Sequence, residues 1–302
     1  MSIKIFFELV EMKAKTASVL PFLIGLCYSY YHYGVLHLGY VTIYFIAMFI
    51  FNMAVDILDN YNDYLNATDV HDYKDKTNVI GRENLSLSLI RWMITLMVIV
   101  SAGIGIWLAS QVGWPLLWMG LYCYLVGIFY SSGPKPLSSL PLGEFFSGFT
   151  MGMMIALITV YLNAFEVFEW QAQELLNIAV IALPNTMWIA NLMLANNICD
   201  LEEDRHNKRY TLVHYLGKSK ALQLFIVLNI IAFISIGASV VLGIAPKTVL
   251  LSYLIVPFVW KQTTIFLKKQ EKLVTFQTAI KILAIGSTVQ VCTYLLGIII
   301  SR

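Results

Sequence analysis

Asp56-Ile-Leu-Asp59-Asn-Tyr-Asn-Asp63 is the sequence at the end of a long apolar segment that begins near Leu38. Asp59 and Asp63 are four residues apart, so on a helix both carboxylates project from the same face. Two like charges placed in this way destabilise a helix unless a cation lies between them. A hard divalent cation such as Mg²⁺ takes oxygen ligands and commonly joins carboxylates to phosphate oxygens. The stretch therefore predicts a helix that leaves a hydrophobic environment at a metal–phosphate site.

A second acidic pair follows another long apolar segment, in Asn196-Asn-Ile-Cys-Asp200-Leu-Glu-Glu-Asp204-Arg205. Acids at the end of one helix are equally compatible with a solvated terminus. The metal–phosphate interpretation is favoured because the four-residue spacing occurs twice and Lys or Arg follows closely each time. The recurrence also suggests a weak internal repeat.

The composition indicates an integral membrane protein. The 302 residues are 59% hydrophobic and 13% charged, with a mean hydropathy of +0.72. Soluble domains have about 45–50% apolar and about 25% charged residues. The four cysteines lie in apolar segments without paired spacing, which favours core thiols over a disulfide framework or a zinc site.

Apolar segments of about 20 residues recur along the chain, and each is long enough to cross a bilayer as a helix. They run from about Ala17 to Tyr31, Leu38 to Leu58, Ile90 to Ala109, Trp114 to Tyr130, Gly143 to Leu162, Leu175 to Ile198, Leu222 to Val241, Val249 to Phe266 and Ala279 to Ile300. The first lacks a small-residue cleavage pattern, so we expect a span and not a signal peptide. The predicted fold is all-α and polytopic, with about nine transmembrane helices.

The distribution of Lys and Arg predicts the orientation. These residues concentrate at the N-terminus and in alternate loops, whereas the opposite loops hold Lys247 and the acids Glu166, Glu169 and Glu174. By the positive-inside rule, the N-terminus and both acidic pairs are cytoplasmic in a multi-pass cell-membrane protein. We expect the lipid bilayer as a partner, no nucleic acid, and no obligate protein partner.

The motifs around the acidic pairs resemble those of the UbiA superfamily of intramembrane aromatic prenyltransferases. The first motif spans residues 56–69 and resembles N-x-x-N-D-Y-x-D-x-x-x-x-G-x-D, and the second spans 196–217 and resembles N-N-x-R-D-x-x-x-D-x-x-x-G-K-x-T-L followed by L-G. The stretches 13–21 and 130–144 also resemble this superfamily, and the branch most similar is that of 1,4-dihydroxy-2-naphthoate polyprenyltransferases (MenA). The last three helices match only in hydropathy.

The chain departs from the branch pattern at several positions, which leaves room for a shifted aromatic acceptor. Asp59-Asn60 inverts the usual Asn-Asp, Asp56 stands where Asn is common, Ala67 replaces Gly, Cys199 replaces an Arg, and Lys13 or Lys15 stands where Arg is expected. Asp59 remains able to bind Mg²⁺, but the first motif carries extra negative charge.

The resemblance implies a single prenyltransferase domain over residues 1–302, with a central cavity and a cytoplasmic cap. It implies that Asp59, Asp63, Asp200 and Asp204 are catalytic and bind Mg²⁺, supported by Asn60 and Asp69. The candidates for binding the diphosphate or the acceptor are Lys76, Arg82, Tyr130, Lys135, Lys208, Arg209, Asn196 and Asn197. The substrates would be a polyprenyl diphosphate and an aromatic acid, with demethylmenaquinone as the product.

Other functions remain open from sequence alone. A UbiA-type enzyme could use 4-hydroxybenzoate as the acceptor or belong to the haem farnesylation branch. A secondary transporter is the rival of another class, because intramembrane acids and repeats occur there. Transporter sites usually lie near the bilayer midplane, whereas these acids stand at span ends beside basic loops, which favours the enzyme.

Overall fold

A computed structural model describes residues 1–66 and 73–301, and within these ranges the backbone forms helices and connecting turns without a strand. Asp69 and Ala67, two positions of the first motif, lie outside the described residues. The α-helices in chain order are α1 (Ile3–Leu9), α2 (Thr16–Tyr33), α3 (Leu38–Asn66), α4 (Val79–Arg82), α5 (Leu87–Val112), α6 (Trp114–Ser131), α7 (Gly143–Ser147), α8 (Ile155–Ala164), α9 (Ala172–Cys199), α10 (Leu201–His206), α11 (Leu212–Val241), α12 (Val256–Lys268) and α13 (Phe276–Ile300).

Eight helical segments of the described chain are long and apolar enough to cross a membrane, which confirms the predicted all-α polytopic class. They are α3, α5, α6, residues 143–164, α9, α11, residues 247–268 and α13. The remaining predicted segment is α2, which is helical but is not among these eight. Its last residues, Tyr30-Tyr31-His32-Tyr33, are polar enough to lower its mean hydropathy.

The first of two compact units comprises Met1–Lys15 and Gly39–Leu137 and contains α1 and α3–α6. Helices α1 and α4 pack near the polar end of α3 around one apolar cluster. The buried members of this cluster are Leu9, Val10, Ile57, Val79, Ile80 and Ile90. Helix α1 precedes α3 in the chain and α4 follows it. Burial of these apolar side chains holds both short helices against the part of α3 that carries Asp56, Asp59 and Asp63.

The second unit comprises Thr16–Leu38 and Ser138–Arg302 and contains α2 and α7–α13. Helix α9 is central to it, with α2, α11 and α13 packed around it. Buried amides join these helices: Asn185 Nδ2 donates to Gln290 Oε1 at 2.9 Å, and Asn191 Nδ2 donates to the Phe225 carbonyl at 3.0 Å. Such bonds between apolar helices add to packing in holding a membrane bundle together.

A π-helical segment, Gly148–Met154, connects α7 to α8 and lies against α9. A Cβ added at Gly152 would stand 2.5 Å from the Thr186 Cα atom, so only glycine allows this approach. Small residues at such positions let two helix backbones come close.

The span at residues 247–268 is of mixed type, because the 3₁₀ helix Lys247–Ile255 continues directly as α12. Thr293 on α13 fixes the 3₁₀ part: Thr248 Oγ1 donates to its carbonyl at 2.8 Å, and Ser252 Oγ lies 2.9 Å from its hydroxyl. Side-chain bonds of this kind support a backbone geometry that is otherwise uncommon over nine residues.

Two helices extend well beyond the apolar segments that predicted them. Helix α3 continues to Asn66, although its apolar segment ends near Leu58, and α11 begins at Leu212, before its apolar segment. Within α11 the backbone breaks at Gly217, whose φ of 74° is in the left-handed region. Hydropathy predicts where a helix leaves the hydrocarbon of the membrane. It does not predict where the helix itself ends, because polar residues continue the helix beyond the apolar segment.

Candidate active site

The first acidic motif occupies one face of α3. Asp56, Asp59 and Asp63 fall at positions i, i+3 and i+7 of this uninterrupted helix, and all three are half-buried. The predicted shared face is therefore present, and it includes Asp56 as a third carboxylate.

Lys15 neutralises the first of these three acids. Its ammonium group donates a hydrogen bond to Asp56 Oδ2 and another, at 3.4 Å, to the Asn52 carbonyl. The Lys15 side chain is 5% exposed and that of Asp56 22% exposed, so the pair is shielded from solvent. The extra negative charge that Asp56 brings to the motif is thus balanced by a buried lysine.

Asn60, which the sequence suggested as a supporting metal ligand, uses its amide nitrogen to position α1. Asn60 Nδ2 donates to the Leu9 carbonyl at 3.3 Å and to the Asp56 carbonyl at 3.1 Å. Asn78 then donates to the Asn60 carbonyl at 2.9 Å and accepts from the Ile80 nitrogen at the start of α4. These bonds set α1 and α4 beside the acidic face of α3.

Arg82, a candidate for the diphosphate, is exposed and forms ion pairs with acids of α1 and α4. Its guanidinium donates to Glu8 Oε1 at 2.8 Å and to Glu83 Oε1 at 3.1 Å. The bonds to Glu8 and Glu83 raise the pKa of Arg82 above its ordinary value. Arg82 therefore joins α4 to α1 in this structure.

The loop after α6 is attached to α3. Asn62 Nδ2 donates to Ser132 Oγ at 2.9 Å, and this bond brings the loop that carries Lys135 to the polar end of α3. Tyr130 lies in the last turn of α6 and is half-buried, whereas Lys135 is exposed. Lys76, in the π-helical turn Tyr73–Thr77, is also exposed.

The second acidic motif lies across a helix boundary. Helix α9 ends at Cys199, and Asp200, with φ −93° and ψ 6°, joins it to α10. The one-turn spacing is nevertheless kept, because the Asp204 nitrogen donates to the Asp200 carbonyl at 2.8 Å. Asn196 Nδ2 donates to Asp200 Oδ2 at 3.1 Å, so these two predicted residues are in contact.

Asp204 is the most deeply buried acid of the second motif, with 5% of the residue exposed. Burial raises the pKa of its carboxyl to about 6, and the positive charge of Arg209 acts against that rise. Its Oδ2 atom is buried and has no hydrogen-bond partner among residues 1–66 and 73–301. Lys208 is exposed and has a left-handed backbone, with φ 54°. A buried carboxylate oxygen that lacks a donor is a position where a cation would be stabilised.

Two further side chains contact the second motif, and neither was among the predicted site residues. Glu144, on α7, accepts a 2.9 Å hydrogen bond from Asn197 Nδ2 and is buried. Lys272, in the turn after α12, donates to Asn196 Oδ1 and Asp200 Oδ2. Sequence spacing offers no signal for either contact, because Lys272 is 72 residues from Asp200 and Glu144 is 53 residues from Asn197.

The residues present fit Mg²⁺ in their chemistry. Across residues 1–66 and 73–301, no three His, Cys, Asp or Glu side chains are grouped so that they could hold a metal ion. Mg²⁺ commonly takes only one or two protein carboxylates, together with water and substrate phosphate. In the first unit the half-buried carboxylates on α3 are donors of this kind, and in the second unit so are the Asn196 and Asp200 oxygens and Asp204 Oδ2.

Comparison with protein families gives one match that covers most of the chain. Residues 18–285 match the model of the UbiA prenyltransferase family. Among curated proteins, the chain is similar to the 1,4-dihydroxy-2-naphthoate octaprenyltransferase of Bacillus subtilis (strain 168). The two are 26% identical over 254 residues, which is 84% of this chain and 79% of that protein.

Solved structures of the same kind share the fold. A UbiA homologue from Aeropyrum pernix K1, determined in the apo state, has a TM-score of 0.70 and 17% identity, covering 95% of this chain and 97% of that one. A UbiA homologue from Archaeoglobus fulgidus bound to GPP and Mg²⁺ has a TM-score of 0.67 and 13% identity, covering 97% and 99%.

Proposed function

The chain belongs to the UbiA prenyltransferase family, and from that membership we propose that it transfers a polyprenyl group from polyprenyl diphosphate to 1,4-dihydroxy-2-naphthoate. Diphosphate and CO₂ are the other products, and the prenylated ring is demethylmenaquinone. The observation that carries the choice of acceptor is the 26% identity to the Bacillus subtilis octaprenyltransferase over 84% of this chain. Because one family model spans residues of both compact units, we treat residues 1–302 as one prenyltransferase domain.

We assign the metal to the two acidic motifs. Asp59 and Asp63 on α3, with Asn60 and Asp69, would hold Mg²⁺ at the first motif. Asp200, directly after α9, and Asp204 in α10 would hold it at the second. When bound, Mg²⁺ supplies charge neutralisation that makes the diphosphate a better leaving group. The orphaned oxygen of Asp204 supports this assignment, as does the complex of GPP and Mg²⁺ with the Archaeoglobus fulgidus homologue.

Basic side chains of the chain would bind the diphosphate directly. Lys135, Lys208 and Arg209 are the main candidates, because ammonium and guanidinium groups form charge-assisted hydrogen bonds with phosphate oxygens. Arg82 would have to give up its bonds to Glu8 and Glu83 to take part, and Lys76 is a further candidate. Tyr130, Asn196 and Asn197 are proposed to line the site for the diphosphate or the acceptor.

The proposed reaction begins with ionisation of the polyprenyl diphosphate. The bond between C1 of the prenyl group and its oxygen breaks, and the diphosphate leaves with the electron pair. The resulting allylic cation is kept from water by apolar helices. The ring carbon that bears the carboxylate attacks this cation, and loss of CO₂ restores the aromatic ring. The apolar prenyl tail would reside among the membrane helices.

The positions of Lys and Arg support a location in the cell membrane with the N-terminus and both acidic motifs on the cytoplasmic side. Eight helices of the described chain have the length and composition of membrane spans. Tagging each loop with a cysteine and labelling it from one side of intact cells tests this orientation.

The decisive experiment is product formation by purified protein in detergent with Mg²⁺ and a polyprenyl diphosphate. Dihydroxynaphthoate and 4-hydroxybenzoate are supplied in parallel, each with an EDTA control. Demethylmenaquinone that is lost with EDTA is the expected result. Product from 4-hydroxybenzoate alone would overturn the proposed acceptor. No product from either, together with Mg²⁺-independent substrate flux in proteoliposomes, would favour a transporter.

A further inference from the structure

Lys272 occupies the oxygens of the second acidic motif. Its ammonium group donates to Asp200 Oδ2, on a carboxylate assigned above to the metal, and to Asn196 Oδ1 beside it. Its positive charge also acts on Asp204, where it opposes the rise that burial causes in the pKa of that carboxyl. One ammonium group thus interacts with both carboxylates of the motif.

The turn that carries Lys272 is held by its own hydrogen bonds. The Glu271 nitrogen donates to Thr275 Oγ1 at 2.8 Å, and the Thr275 nitrogen donates back to the Glu271 carbonyl at 2.9 Å. Lys269 pairs with Glu271 Oε1 at 2.6 Å, so the positive charge of Lys269 is balanced within the turn. The Lys272 side chain extends from this turn to the motif, with its ammonium 5.3 Å from the centre of the Phe276 ring.

We propose that Lys272 is a built-in counter-ion of the second acidic motif, which occupies the metal-binding oxygens when no metal is bound and moves away when Mg²⁺ binds. The inference rests on the proposed function, which places the metal at Asp200. An ammonium group and a divalent cation repel each other, so both cannot share the same carboxylate oxygen. Lysine is suited to this exchange, because its long side chain turns freely and its head group is readily hydrated. The Lys272 side chain is already 44% exposed, so solvent is available to receive it.

The inference predicts that removing this charge tightens metal binding. Lys272→Met keeps the length of the side chain without its charge, and the probe is Mn²⁺, an oxygen-seeking paramagnetic substitute for Mg²⁺. We expect the Mn²⁺ affinity, measured by electron paramagnetic resonance in detergent, to rise roughly fivefold. This factor corresponds to the largest interaction free energies found for exposed ion pairs. Lys272→Arg keeps the competing charge and should bind Mn²⁺ as the wild type does.

Lys269→Met is the matched control, because it removes one positive charge from the same turn but from a lysine paired with Glu271. It should leave Mn²⁺ affinity unchanged. Lys272→Gln, which retains a neutral donor to Asp200, should also tighten binding, and it serves if the Met variant does not fold. A second readout is thermal stability: Lys272→Met should melt lower than wild type in EDTA, and saturating Mg²⁺ should close that gap.

The variant Asp200→Asn distinguishes a failure of the proposed competition by Lys272 from a failure of the proposed metal site. Asp200→Asn should remove the Mn²⁺ site that Lys272→Met strengthens. If Asp200→Asn weakens Mn²⁺ binding while Lys272→Met and Lys272→Gln leave it unchanged or weaken it, the metal assignment stands and the competition is wrong. If Asp200→Asn binds Mn²⁺ as the wild type does, the metal assignment at this motif fails and the inference fails with it.

Discussion

The ammonium group of Lys15 is hydrogen-bonded to the carboxylate of Asp56, 41 residues further along the chain. Asp56 stands where the branch pattern has Asn, and Lys13 or Lys15 stands where it has Arg. The structure pairs the added acid with Lys15, so its charge is accompanied by that of a cation. Asp56 lies one turn before Asp59 on α3, so the ion pair stands beside the two acids that we assign to the metal on this face.

Lys15→Met should destabilise the protein by about 2 kcal/mol, because it leaves the Asp56 carboxylate shielded from water without its partner. Lys15→Met combined with Asp56→Asn should recover most of the loss. The measurement is a double-mutant cycle of melting temperature in detergent. Additive effects of the two substitutions would mean that the ion pair contributes no coupling.

Asp63→Asn and Asp200→Asn should each reduce turnover by at least about 100-fold, since each removes a carboxylate assigned to the metal. Glu202→Gln is the control for charge, because Glu202 is 76% exposed, paired with Arg205 and only two residues from Asp200. It should retain wild-type turnover. All three variants should insert into the membrane normally, and wild-type rates in either Asp variant at saturating Mg²⁺ would refute its role.

The buried carboxyl of Asp204 should make the metal-free protein less stable as the pH rises. Burial raises the pKa of this carboxyl to about 6 in the folded state, well above the ordinary value of about 4, so the folded protein holds the proton more tightly than the unfolded chain. By linkage, this contribution is fully favourable below about pH 4 and is lost as the pH rises through about 6.

Asp204→Asn should therefore melt at a higher temperature than wild type in EDTA at about pH 7, and the two should converge near pH 4. An exposed acid of α10 gives the control, Glu202→Gln, which should follow the wild-type curve. A constant difference between Asp204→Asn and wild type across this pH range would show that burial of the charge is not the cause.

Gly152→Ala should lower stability by about 1–3 kcal/mol, because the added methyl group would meet the backbone of Thr186. Gly103→Ala is the matched control, since a Cβ on Gly103 in α5 would meet no atom of the described residues within 4 Å. Melting temperatures of the two variants in detergent test the close contact of the π-helical segment with α9. Equal melting temperatures would contradict it.

The apolar helices could be predicted from the sequence, because hydrocarbon imposes length and composition on every segment that crosses it. Both acidic pairs could also be found, since their four-residue spacing is local. Lys272 and Glu144 could not be found, and the sequence offered no means of pairing Lys15 with Asp56. These contacts join residues 41 to 72 positions apart and depend on how separate helices pack.

The 3₁₀ helix Lys247–Ile255 affects how the segment 247–268 and the following helix α13 match the thickness of the bilayer. A 3₁₀ helix rises about 2.0 Å per residue, against about 1.5 Å in an α-helix. Nine 3₁₀ residues followed by the thirteen of α12 therefore reach about 37 Å, as far as the twenty-five residues of α13. The stretched backbone lets a shorter sequence span the same hydrophobic thickness as its neighbour, so the two helices avoid a mismatch that would otherwise require tilt or local thinning of the membrane.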